Sequence, residues 1–412
     1  MSRGPRVLLV GFYGVPNLGD ELLCRAVIAR VRAVAPGARI TVLAADAEVA
    51  RRYSGLDDDV AILEGFYPTP RFRRAWKSHL DAAGRADLVV LGGGGLISDR
   101  HHWSSVPRYA LPALAALAAG RPVIAAGLGI PGLRRFWLRR LSAALVGAMA
   151  RVGVRDMVSA SQAEVLGARP EAVRPGRDMA PVALAGRLDR STPAVVVDRW
   201  LVNLRADPPL PEAGVTAMLE RLAAAGAGID LLVAEPVDRP YYEALVAAVT
   251  PGAAAACRVI EPETLDEALG IVRRARGVLA ERLHVVVAAI GAARPLVAVP
   301  YESKVTTALA EFEAGAAVVA PHEIGAGTAD RLFAARGNEA AARRLADAAP
   351  AIAAEIDDLL RAGVAAPAVP WNRRLAAGLW LTGLTAFALV KPWLPSPSRL
   401  RARVARAPAA HS

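Results

Sequence analysis

The chain has two cysteines in 412 residues, Cys24 and Cys257, far apart and outside any CxxC pair. That scarcity excludes a disulfide framework, and each cysteine reads as a small buried hydrophobe. Aromatic residues make up only 5% although hydrophobic ones reach 54%, so the interior must be built from Ala, Val and Leu. Such a composition suits helices packed on buried parallel strands. No secretory pattern opens residues 1–6, so a reducing cytoplasm is expected. Acidic residues are missing from residues 366–412, which hold Arg373, Arg374, Lys391, Arg399, Arg401, Arg403 and Arg406. This tail carries +7 of the net charge of +11. The remainder shows no RNP, zinc-finger or basic-aromatic signature, so no nucleic-acid partner is expected.

Inside the tail, residues 375–390 read LAAGLWLTGLTAFALV, sixteen without a charge. A helix of that length spans about 24 Å, short of the roughly 30 Å hydrocarbon core, so bilayer crossing is not expected. Trp371, Trp380 and Trp393 with flanking Arg and Lys fit an interfacial anchor at the inner face of the plasma membrane. The alternative is a terminal helix packed on the body or on another subunit.

At this length the chain suits two domains of roughly 180 residues. RVLLVG reads as a strand, residues 21–35 as a helix and ARITVLAA as a second strand, a first βαβ unit. Alternation continues through ADLVVLGGGGLISD, RPVIAAGLGI, a basic amphipathic helix over 136–150, and RVGVRD. It restarts at VVVDRWLVNLRAD and runs through IDLLVAEP, CRVIEP, RGVLAERLH and RPLVAVPYESK. The expected architecture is α/β, with two similar halves over 1–185 and 194–365, an interdomain linker at 185–193 and a cleft between them. Ligands of open parallel sheets sit beyond the carboxyl ends of strands, and every chemically suggestive stretch falls at such an end.

The first of these loops, VGFYGVPNLGDELL, has Gly11, Gly14 and Gly19 without the G-x-G-x-x-G or P-loop spacing. It reads as a loop into a helix capped by Asp20, with backbone N–H groups facing the cleft and Asn17 and Asp20 able to bind sugar hydroxyls. A plain glycine-rich βα turn is the other reading. The second loop, Gly92, Gly93, Gly94 and Gly95, followed by LISD, suggests close backbone approach, with Asp99 a candidate hydroxyl ligand. In the third stretch Arg282 and His284 open a helix, and Lys304 follows the next strand. Two cations around an imidazole at a helix N-terminus suit a small phosphorylated carboxylate, with His284 moving a proton. Arg205 in VNLRAD is a further cation. No metal set is visible: His322 and the pair His101 and His102 lack companions, and the pair reads as a surface loop.

The ordered set GFYGVPNLGDELL, LGGGGLISD, GLGIPGLRR, GVRD, ERLH and PYESKV, spanning most of residues 7–305, resembles the polysaccharide pyruvyl transferase family. The resemblance implies two Rossmann-like domains, 1–185 and 194–365, in a GT-B-like arrangement. It also implies transfer of a pyruvyl group from phosphoenolpyruvate, as substrate and without a cofactor, to two hydroxyls of a cell-surface sugar, forming a cyclic ketal. Acceptors of the family are often lipid- or nucleotide-linked. Its RLH motif falls on Arg282, Leu283 and His284, its lysine on Lys304, and its arginine near the GxGIGP-like loop on Arg134 or Arg135. Leu128 stands where the family commonly has glutamine, and Pro131 and Gly132 are exchanged. A GT-B glycosyltransferase, with Glu302 as the acid for a donor ribose, and a noncatalytic scaffold of polysaccharide assembly are the competing readings.

Overall fold

The computed structural model describes residues 4–66, 72–100, 105–185, 187–188 and 195–390, and side chains in all of these but 72–74 and 386–390. The pair His101 and His102, and most of the expected linker at 185–193, lie outside the described residues. The strands are β1 (Arg6–Val10), β2 (Arg39–Leu43), β3 (Ala61–Leu63), β4 (Leu88–Leu91), β5 (Val123–Leu128), β6 (Arg151–Val154), β7 (Val173–Pro175), β8 (Arg199–Asn203), β9 (Gly228–Leu232), β10 (Cys257–Ile260), β11 (Gly277–Ala280), β12 (Leu296–Ala298) and β13 (Ala317–Val318). They form two wholly parallel sheets, ordered β3-β2-β1-β4-β5-β6-β7 and β10-β9-β8-β11-β12-β13. The central strands RVLLV, LVVL and GVLA are apolar at nearly every position because helices cover both faces.

Both sheets reverse direction of growth beside their first strand. In the first, β1 pairs with β2 on one side (Leu8 opposite Thr41) and β4 on the other (Leu8 opposite Val89). In the second, β8 lies between β9 and β11 in the same way. The loops after β1, β4, β8 and β11 therefore flank the two switch points, where an open α/β sheet leaves a crevice. Those loops hold the sequence GFYGVPNLG, the glycine run, Arg205 and the ERLH motif.

The first helix, Leu18–Val34, starts earlier than the sequence reading placed it. Asn17 is its cap, its Oδ1 accepting from the N–H groups of Gly19 (3.1 Å) and Asp20 (3.2 Å). Asp20 therefore stands in the first turn with its carboxylate directed elsewhere. Next to it Glu21 is fully buried, accepting from Gly14 N–H at 2.6 Å and from the Ser54 hydroxyl. Burial pushes this carboxyl up to about 8, against both hydrogen bonds. The folded chain then holds a proton there that the unfolded chain releases, so stability falls as pH rises from about 4.5 to about 8. Glu21→Gln keeps an acceptor for Gly14 and can donate to Ser54. The variant is expected to be more stable than the parent by roughly 2 to 4 kcal/mol at pH 8.5 and little different at pH 4.5, as thermal melts at the two pH values would show.

The last two helices cross back to the first sheet. Glu339–Val364, expected within the second domain, buries Ile352, Ile356, Leu359 and Leu360 in a core shared with β1 and with the helices Leu18–Val34 and Ala180–Ala185. Asp357 on it receives a bidentate pair from Arg30 at 2.7 and 2.6 Å. The final helix, Trp371–Val390, packs Ala377, Trp380, Leu381 and Leu384 onto the helices Ser105–Ala118 and Phe136–Ala148. No helix among the described residues is long and apolar enough to cross a membrane. The halves are joined at one side of the cleft by Leu18 N–H to Ala234 O (3.3 Å), Leu265 N–H to Tyr53 O (2.8 Å), and the Arg187 to Asp266 ion pair (2.9 Å).

Candidate active site

Between the switch points lies a small polar cavity of about 110 Å³, lined from both halves. Three helices point their N-termini at it: Leu18–Val34, Leu283–Gly291 and Ser303–Glu311. Three positive helix ends, two of them (Leu283–Gly291 and Ser303–Glu311) without a side-chain cap, make this a place for an anion. Gly94 and Gly95 form the wall opposite. Gly94 adopts φ 95°, and a Cβ there would lie 2.7 Å from Asp20 Oδ1, so glycine is required for the loop to reach the helix.

His284 lies in the first turn of its helix, and its Nε2 is 3.3 Å from Asp178 Oδ2. Asp178 follows β7 and also accepts from Ala180 N–H at 2.8 Å. Burial alone would raise its carboxyl, but the His284 charge and hydrogen bond and the nearby Arg155 hold it down at about 2. Asp178 is thus a carboxylate placed to orient the ring. The other face of the ring lies against Gly19, where an added Cβ would come within 1.9 Å of Nδ1. Gly19→Ala should therefore displace the imidazole and lower kcat about tenfold without loss of Tm, measured on the purified variant. Burial also pushes Asp20 up to about 6, although His284, Lys304 and Arg155 oppose it. A carboxyl near neutrality beside an imidazole can exchange protons with a bound substrate.

The cations divide into committed and available ones. Arg282 sends Nε and Nη2 to Asp238 at 2.9 Å each and Nη1 to Glu235 at 2.8 Å. Its guanidinium is therefore paired with two carboxylates of the protein, while the residue lines the cavity. Lys304 pairs with Glu302 at 2.9 Å, and Glu302 also takes Arg100 from across the cleft at 2.8 Å. Glu302 is occupied by these cations rather than open to a ribose. Arg155 lines the cavity, and its buried Nε has no hydrogen-bond partner, with Asp156 3.4 Å away. Arg205 is also buried with an unpartnered Nε, and its guanidinium stacks 3.9 Å from the Tyr301 ring centroid, with Lys304 4.5 Å from that centroid.

Of the residues read from the sequence, Asn17, Gly19, Asp20, Gly94, Gly95, Arg282, His284 and Lys304 line the cavity, and Arg205 stands behind Tyr301. Gly14 and Gly93 do not. Gly14 serves Glu21, and Gly93 gives room to Leu23 and Met179. Asp99 is not open to a hydroxyl: buried, it accepts from the N–H groups of Arg134 (3.1 Å) and Arg135 (2.9 Å), which hold its carboxyl low despite burial. It fixes the loop that carries Arg134 and Arg135, both exposed and outside the cavity, with Arg135 Nη1 returning to Asp99 O at 3.2 Å. Arg155, Asp178 and Tyr301 were not singled out. The signal for the first two is an Arg-Asp pair just past a strand, in GVRD and in RPGRD.

The family model for polysaccharide pyruvyl transferase matches residues 17–303, which include nearly every residue of this cavity. The chain belongs to the polysaccharide pyruvyl transferase family. No curated protein matches it significantly in sequence. Among solved structures, this pyruvyl transferase family member is similar to Anabaena Alr3699/HepE in complex with UDP-glucose, at TM-score 0.55 and 16% identity over 87% of this chain and 97% of that one. It is also similar to UDP-GlcNAc 2-epimerase from Neisseria meningitidis bound to UDP-GlcNAc, at TM-score 0.52 and 13% identity over 92% and 100%. The Methanocaldococcus jannaschii UDP-GlcNAc 2-epimerase gives TM-score 0.53 and 11% identity over 82% and 97%. These likenesses establish the GT-B-like fold.

Proposed function

We propose that the protein transfers the pyruvyl group of phosphoenolpyruvate to two hydroxyls of one sugar, forming a cyclic ketal and releasing phosphate. The observation that supports this most is the Asp178-supported His284 at the convergence of three helix N-termini, with Arg155 and Lys304 beside it. In this reading Arg155 and Lys304 hold the phosphate and carboxylate, and His284 delivers a proton to the methylene carbon. The central carbon becomes cationic and one sugar hydroxyl adds to it, losing its proton. Phosphate then leaves with the C–O bonding pair, and the second hydroxyl adds and loses its proton. Asp20 is placed to take one of these protons. The product carbon carries a methyl, a carboxylate and two sugar oxygens, and no oxidant or metal is needed for the balance.

Acceptor-dependent phosphate release from phosphoenolpyruvate, assayed over nucleotide- and lipid-linked sugars, tests the reading. Consumption of a nucleotide sugar with phosphoenolpyruvate untouched would overturn it in favour of glycosyl transfer. The acceptor class, a sugar of the cell envelope on a carrier at the cytoplasmic face, and membrane contact through residues 366–412 are part of the same proposal.

A further inference from the structure

From Arg100 to Arg155 the sequence contains nine arginines and no Asp or Glu, and from residue 359 to the C-terminus it again has no acid. The fold brings these two acid-free stretches together. The helix Trp371–Val390 packs against Ser105–Ala118 and Phe136–Ala148. Arg374 Nε donates to Ala118 O at 3.3 Å and Val369 N–H to Gly120 O at 3.2 Å. The last helix therefore begins at the edge of the first sheet remote from the cleft and runs back towards the cleft rim, where Phe136–Ala148 begins after β5.

The outward side of this layer is apolar and cationic. Trp371, Leu375 and Leu379, one helical turn apart, are 76%, 57% and 68% exposed. At the rim Phe136 is 71% exposed and lies under the Arg140 guanidinium, 5.1 Å from its centroid, while Arg134, Arg135 and Arg139 are exposed around it. Arginines at a helix N-terminus oppose the helix dipole, and although Arg135 meets the buried Asp99 carboxylate at 3.5 Å, one carboxylate does not balance Arg134, Arg135, Arg139 and Arg140, so this cluster gains from an external anion. Aromatic and leucine side chains beside guanidinium groups are what a bilayer interface retains, and an acid-free face is complementary to anionic headgroups. Five further cations, Lys391, Arg399, Arg401, Arg403 and Arg406, follow this helix in sequence.

We infer that the helices Phe136–Ala148 and Trp371–Val390 form one docking surface for an anionic lipid bilayer, which holds the rim of the cleft at the headgroups. This deepens the proposed membrane contact: it adds a second, rim element to the tail and gives the cleft an orientation. The basic amphipathic helix read at 136–150 then has a use outside the reaction.

The test is co-sedimentation of the full chain with phosphatidylcholine vesicles, with and without phosphatidylglycerol. Comparison is with the triple variant Phe136→Ser, Arg139→Glu, Arg140→Glu, which keeps the tail intact. The parent is expected to bind only the anionic vesicles and to be released by salt. The triple variant should partition at least tenfold less while keeping the parent Tm and its turnover of phosphoenolpyruvate with a water-soluble acceptor. Equal partitioning of the two proteins would overturn the inference, as would equal binding to neutral vesicles. Retention on heparin without vesicle binding would also overturn it, pointing to a polyanionic chain instead. Vesicle binding is read without catalysis, so failure of the pyruvyl transfer reading remains a separate result.

Discussion

His284→Ala is expected to lower acceptor-dependent phosphate release about 10³-fold while phosphoenolpyruvate still binds within a few-fold of the parent affinity. The expectation follows from position. The ring is held between Gly19 and Asp178 at a cavity whose cations Arg155 and Lys304, the proposed anion ligands, lie on other segments. Removing it deletes the proton donor but leaves the anion site. Asp178→Asn should separate positioning from structure. The amide keeps the size of the side chain and an acceptor for Ala180 N–H but no longer offers the ring a charged partner, so kcat should fall roughly tenfold to a hundredfold with KM for phosphoenolpyruvate and Tm little changed. A merely structural Asp178 would alter Tm and leave kcat in place. Stopped assays across pH 5 to 9 with calorimetric binding of phosphoenolpyruvate would decide, and full turnover by the alanine variant would favour a noncatalytic scaffold.

The sequence was most informative where one strand end carried its own chemistry. GVLA followed by ERLH placed Arg282 and His284 correctly because a buried strand, a polar loop and a helix start are all local features. The two-sheet α/β architecture was legible for the same reason, from repeated βα spacing. What could not be read was partnership across the topology. Asp178 and His284 are 106 residues apart, and only the placement of β7 beside the cleft brings them together. Asp99 looked available as a polar residue after a glycine run, yet its oxygens serve the backbone of a loop 35 residues on. Asp20 seemed the cap because it precedes the apolar run, whereas Asn17 had the geometry to bind two N–H groups. The return of Glu339–Val364 to the first sheet is a tertiary choice, set by Asp357 meeting Arg30 and by the apolar stripe from Ile352 to Leu360.

Arg155→Ala is expected to reduce kcat/KM for phosphoenolpyruvate about 10²-fold, chiefly through KM, with little change in Tm. The contrast with Arg282 carries the argument, since both are arginines at the same cavity. The Arg282 guanidinium already meets Asp238 and Glu235, with Asp238 wholly buried, so its removal strands two carboxylates in a crowded polar site. Arg282→Ala should therefore cost about 3 kcal/mol of stability and several degrees of Tm. Arg155 has its buried Nε without a hydrogen bond, packs over Gly129, and meets only Asp156 at 3.4 Å. An arginine held in place with unused donors is the one whose charge remains to be given to a substrate anion. Thermal melts and steady-state kinetics on the two variants distinguish the assignments. Should Arg282→Ala raise KM at unchanged Tm while Arg155→Ala leaves KM alone, the donor cation would be the arginine of the RLH motif, and the ion pairs around it would have to open on binding.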